Sequence, residues 1–180
     1  MPWPFASLWD HALTYDRFVA ASTQHCALWT GVYRTARIPE WAKEAVARLG
    51  TRFRFVVLVE DWCGDASSTI PVLARWAEET GMELRILRRD ENPEVMDAYL
   101  SNGARAIPVV IVLTDQMEEI GHWGSRPETL QAFVTGERRQ GRTSHTYFPE
   151  VRRWYAQDKG ESTLREVLAV MERGAAPPSP

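Results

Sequence analysis

The spacing of apolar positions changes character twice along the chain. Up to about residue 50 it is helical. In Pro39 to Gly50, Trp41, Ala45, Val46 and Leu49 recur at helical spacing, proline sits at the first turn and glycine closes the segment. From 51 to about 135, strand-like runs alternate with helical ones. Phe53 to Val59 is a β-branched and apolar strand, Ser67 to Glu79 predicts a helix ended by Gly81, and Glu83 to Leu87 predicts a second strand. Asn92 reads as an N-cap with Pro93 at the first helical position, for a helix running to about Leu100 and ended by Gly103. Ile107 to Leu113 is a continuous apolar strand, Asp115-Gln116 a turn and Glu119 to Trp123 a fourth strand, and Pro127 opens another helix. From about 146 the chain returns to helix, with Leu164, Val167, Leu168 and Met171 at helical spacing.

A β-α-β-α unit followed by a hairpin and a helix predicts an α/β fold. The expected architecture is a central mixed β-sheet flanked by helices on both faces, with 53–59 and 107–113 at its centre. The expected organisation is one domain over 1–180. It comprises an N-terminal helical extension (1–50), a core (51–135), a C-terminal helical extension (136–174) and a small, Pro-rich, irregular tail (175–180). No internal repeat is visible.

Composition narrows the classes. The chain has 180 residues, 44% hydrophobic and 25% charged, the balance of a globular protein of one domain. Its net charge of −3 gives no reason to expect nucleic acid or an anionic membrane as a partner. The longest apolar run is too short to span a bilayer, and the N-terminal residues lack the pattern of a signal peptide. The expected location is therefore cytoplasmic. Two cysteines exclude a disulfide-stapled scaffold and cannot supply a four-thiolate metal site. No Cys/His cluster has metal spacing, so neither a metal nor another cofactor is expected.

Chemistry concentrates at Glu60-Asp61-Trp62-Cys63-Gly64-Asp65-Ala66, between the first strand and the next helix. The first N–H groups of a helix are unpaired and carry partial positive charge. They stabilise a thiolate, the reactive form of cysteine. Cys63 is therefore the candidate nucleophile.

This segment resembles the W-C-G-P-C active site of the thioredoxin family, with Pro71 at the position of the helix-kinking proline. A second block, Asp90-Glu91-Asn92-Pro93, then Tyr99, then Gly103 to Pro108, resembles the segment that leads to the thioredoxin cis-proline. The resemblance implies that Pro108 faces Cys63 and that Ile107 and Pro108 align substrate as an added strand. It implies a substrate groove shared by Trp62, Gly64, Asp65 and Gly124, the last lying sixteen residues after Pro108. It covers about Phe53 to Phe133. The phrase Gly121-His122-Trp123-Gly124-Ser125-Arg126-Pro127 is further similar to a bacterial branch of thioredoxin-like proteins with added helices at both ends.

The departures matter as much. Ala66 stands where a dithiol thioredoxin has its resolving cysteine, so the W-C-G-D-A motif cannot run an intramolecular dithiol cycle. Val57 stands where thioredoxins keep a buried acid, and Asp65 replaces the proline of the motif. The helix N-terminus should lower the Cys63 pKa, whereas Glu60, Asp61 or Asp65, if near the sulfur, would raise it. The expectation is a thiol less acidic than the first cysteine of a W-C-G-P-C protein. Cys26, 37 residues upstream, reads first as an inert core cysteine and second as a resolving thiol. His25 and His122 are single histidines rather than a ligand set. Arg126 either binds an anion or, the simpler reading, caps or salt-bridges locally, while Arg138, Arg139, Arg142, Arg152 and Arg153 read as solvated charges. The tryptophans, spread over every segment, read mostly as core fillers or as anchors of the added helices.

Two functions fit. One is a monothiol thiol–disulfide oxidoreductase acting through Cys63, whose partners are disulfide- or thiol-containing proteins or a low-molecular-weight thiol. The other is a non-catalytic binding or adaptor protein using the groove around Trp62 and Pro108.

Overall fold

In the computed structural model, which describes residues 3–175, the chain runs α1 (Phe5–His11), β1 (Leu13–Thr14), α2 (Tyr15–Ala21), α3 (Cys26–Thr35), α4 (Glu40–Leu49), β2 (Phe53–Val59) and α5 (Gly64–Thr80). It continues through β3 (Glu83–Arg88), α6 (Pro93–Asp97), β4 (Val109–Thr114), β5 (Glu119–Gly124), α7 (Glu128–Arg139), α8 (Ser144–Asp158) and α9 (Glu161–Ala175). The expected tail at 176–180 lies outside the described residues, and Ala175 belongs to α9.

The strands form one five-stranded mixed sheet in the order β1-β3-β2-β4-β5. β2 pairs parallel to β3 through the α5 crossover and antiparallel to β4, with Val57 opposite Ile86 on one side and Val110 on the other. Val56 to Val59 and Val110 to Leu113 are fully buried, as continuous apolar runs in a sheet covered on both faces require. Position 57 is therefore a packing site at the middle of the sheet.

Several elements differ from the sequence pattern, beginning with β4, which starts at Val109 rather than Ile107 because Pro108 has no N–H to give the ladder. α5 begins at Gly64 rather than Ser67, because Cys63 itself caps the helix. α6 stops at Asp97, short of Leu100. The C-terminal helical stretch is two helices, broken where Lys159 and Gly160 both take positive φ. A Cβ on Gly160 would lie 2.7 Å from Val72 of α5, so the break lets the turn pack closely on that helix. The N-terminal segment also contributes β1, a two-residue strand antiparallel to β3.

Trp29, fully buried on α3, and Trp76, fully buried on α5, anchor the N-terminal helices to the sheet layer, and α9 packs on β5, β4 and α4. α7 and α8 meet through a separate small cluster of Leu130, Val134, Tyr147, Val151 and Tyr155.

Candidate active site

The exit of β2 sets Cys63 at the N-cap of α5. Its sulfur accepts the Ala66 N–H at 3.4 Å, the bond a serine or aspartate cap would accept. The thiol donates toward the Ile107 carbonyl at 3.5 Å. The peptide between Ile107 and Pro108 is cis. On the far side of Pro108, Gly124 has φ +157°, and a Cβ there would lie 2.3 Å from the Pro108 oxygen. Only glycine allows the two backbones to come so near. Trp62 is 40% exposed, with the Arg89 guanidinium 4.8 Å over its ring, and forms the open rim. Cys63, Trp62, Gly64, Asp65, Ile107, Pro108 and Gly124 thus come together.

Cys26 does not lie in the core. It is exposed at the first position of α3, with its thiol donating to the Ser22 carbonyl at 3.3 Å. The core-facing residue of that helix is Trp29, three positions on, which corrects the expectation of burial. Both cysteines are free thiols.

The acidity of Cys63 has a clear direction. Burial (it is 8% exposed) and then the Asp65 carboxylate push the thiol up to about 11, against the Ala66 and Asp65 N–H groups and Arg126, which favour the thiolate. Of the three nearby acids, Asp65 weighs most on the sulfur. Glu60 is taken up by Arg88 at 3.3 Å and by the Asp90 N–H at 2.9 Å. Asp61 accepts the Thr23 N–H at 2.7 Å and the Gln24 N–H at 3.2 Å. Burial works against the Asp61 charge, but these backbone donors and Arg88 hold its carboxyl below the usual range.

Asp61 therefore clamps the α2–α3 turn onto the active-site loop. Trp29 Nε1 donates to the Asp61 carbonyl at 3.1 Å, and His25 Nε2 lies 3.1 Å from the Trp62 carbonyl oxygen. The N-terminal helices hold the loop that presents Cys63.

Asp65 is held from the other side. Arg126 lies 2.7 Å from one carboxylate oxygen, and the Tyr155 hydroxyl donates to the other at 2.8 Å. Burial followed by the Asp65 charge pushes the Tyr155 hydroxyl far up, so it acts as a fixed donor. Burial opposes the Arg126 charge, yet the ion pair with Asp65 raises its pKa. Arg126 also donates to Gln131 at 3.2 Å, so its partners are one distant residue and one local one. Tyr155 was not legible as a site residue, since no local pattern links it to a carboxylate 90 positions away. His122 Nδ1 lies 3.9 Å from a Glu119 carboxylate oxygen, and its ring meets Tyr99 edge-on. Among the described residues, no three or more His, Cys, Asp or Glu side chains group as a metal-ligating set. No helix among them is long and apolar enough to cross a membrane.

A thioredoxin family profile matches residues 12–141, so the chain belongs to that family. The match begins at 12 and so takes in α2 and α3, whose connecting turn clamps the active-site loop, together with α4. No curated protein matches the sequence. Among solved structures, a Pseudomonas aeruginosa protein of unknown function superposes with a TM-score of 0.74 at 23% identity, covering 96% of this chain and 98% of that one. An HIV 4E10 epitope-scaffold superposes with a TM-score of 0.72 at 24% identity, covering 96% and 99%. At such identities the likeness concerns the fold.

Proposed function

We propose that the protein is a monothiol thiol–disulfide oxidoreductase. The observation that carries this reading is the Cys63 sulfur at the α5 N-cap, 3.5 Å from the Ile107 carbonyl beside Pro108, with Ala66 fully buried where a resolving thiol would stand. The Cys63 thiolate attacks one sulfur of a substrate disulfide. A Cys63–substrate disulfide forms and the other half leaves as a thiolate. With no second thiol in the motif, a low-molecular-weight thiol or a partner cysteine attacks the substrate sulfur of that mixed disulfide and returns Cys63 as thiolate. Because the thiol is pushed up to about 11, only a small fraction is thiolate at neutral pH and the cycle is slow. A cycle that ends on an external thiol suits a reducing compartment such as the cytoplasm.

A second reading, a binding or adaptor protein using the Trp62/Pro108 groove, is favoured by the low exposure of Cys63. An insulin-type disulfide reduction assay with a small thiol present separates the two. The redox reading expects slow turnover that vanishes in Cys63→Ser. Equal rates in both proteins would leave only the binding reading.

A further inference from the structure

Residues of β5, α7 and α9 line a groove of about 740 Å³, a size suited to a small metabolite. Its wall is made shallow by Ala132, Gly136 and Ala169. Three arginines border it. Arg126 enters from the active-site side, while Arg139 and Arg173 come from the last turns of α7 and α9. A helix C-terminus favours a cation on each helix separately. It does not explain why both cations border one groove that a third arginine also lines. The acidic residue set between them, Glu166, is already taken up by the Trp123 Nε1–H at 2.6 Å and the Glu128 N–H at 2.8 Å. The other acid at the groove, Glu128, is exposed at its edge.

Arg126 supplies an independent pointer. Two of its nitrogens are used, one on Asp65 and one on Gln131, but its Nε is buried with no hydrogen-bond partner among the described residues. A buried donor left unpaired is costly, so the guanidinium gains by turning from Asp65 towards an anionic oxygen in the groove.

We propose that this groove binds a small metabolite carrying two or more carboxylate or phosphate groups, with Arg126 at the inner end and Arg139 and Arg173 at the outer. Occupancy reaches Cys63 through Arg126. An anion that shares this guanidinium adds negative charge near the sulfur and weakens the hold of Arg126 on Asp65. Both changes disfavour the thiolate, so the bound ligand slows Cys63. The binding event itself needs no reaction at Cys63 and stands or falls apart from the redox reading.

The test is isothermal titration of the full chain with citrate and, separately, with pyrophosphate, on wild type and on the Arg139→Ala/Arg173→Ala double variant, with circular dichroism confirming that the variant folds. Saturable binding of either probe, weakened about tenfold or more in the double variant, is expected. Which probe binds tells carboxylate from phosphate recognition. No saturable binding of either probe, or equal binding by both proteins, overturns the site. In a Cys26→Ser chain, saturation with the bound probe should slow Cys63 alkylation about threefold. An unchanged rate overturns the coupling to Cys63.

Discussion

Arg126 holds the carboxylate of Asp65 at 2.7 Å, only two positions after Cys63 and in the first turn of the same helix. The pair puts a fixed acid beside the thiol and a cation behind that acid. A W-C-G-P-C motif has proline there, so the charge is a local departure with a direct chemical consequence.

Replacing Asp65 by Asn removes the charge and leaves Arg126 facing the thiol. The Cys63 pKa should fall from about 11, and alkylation at pH 8 should quicken by about tenfold for each unit of that fall. The same change breaks a largely buried ion pair and should cost about 2 kcal/mol of stability, read as a lower urea midpoint. An unaltered alkylation profile would show that Asp65 does not set the thiol's acidity.

Asp61 predicts a pH-dependent clamp. Its carboxyl is held below the usual range, so its contribution is present above the ordinary Asp value of about 4 and is lost as pH falls through the lower folded value. Asp61→Asn should destabilise the fold by about 2 kcal/mol at pH 7. Thermal melts should show the gap between wild type and variant closing towards pH 3. A gap that stays constant with pH would remove the carboxylate from this role.

Ala66 predicts a gain of chemistry. Its backbone N–H already meets the Cys63 sulfur at 3.4 Å, so Ala66→Cys places a second thiol at the position a dithiol cycle requires. Intact mass after mild oxidation should show a disulfide between Cys63 and the introduced thiol, and insulin reduction should become faster with dithiol than with monothiol reductant. A variant that still ends as a long-lived mixed disulfide would mean that the second position is not geometrically available.

Local chemistry made much of this protein readable. The β2 and β4 strands announce themselves as continuous apolar runs, and Trp62, Cys63, Gly64, Ile107 and Pro108 sit in short blocks whose residue types fix their geometry. β1 escaped because two residues, Leu13 and Thr14, give no periodicity to detect. Cys26 misled because cysteine is usually buried, whereas α3 turns Trp29 inward instead. The pairing of Arg126 and Tyr155 with Asp65 joins residues 61 and 90 positions apart, which no local pattern encodes. The sequence places a helix N-terminus and three acids near the thiol without deciding between their opposite pulls, and the largest cause of the upward shift is burial, a property of what packs around the sulfur.

The proposed cycle requires that Cys63 alone exchange with disulfides, slowly, as a buried thiol of raised pKa. The most direct measurement is the rate at which the Cys26→Ser chain forms a mixed disulfide with a small disulfide, followed by intact mass from pH 6 to pH 11. One adduct is expected, located on Cys63, whose rate rises about tenfold per pH unit and levels off only near pH 11. A chain that forms no adduct at any pH, or a rate already level near pH 7, would contradict it.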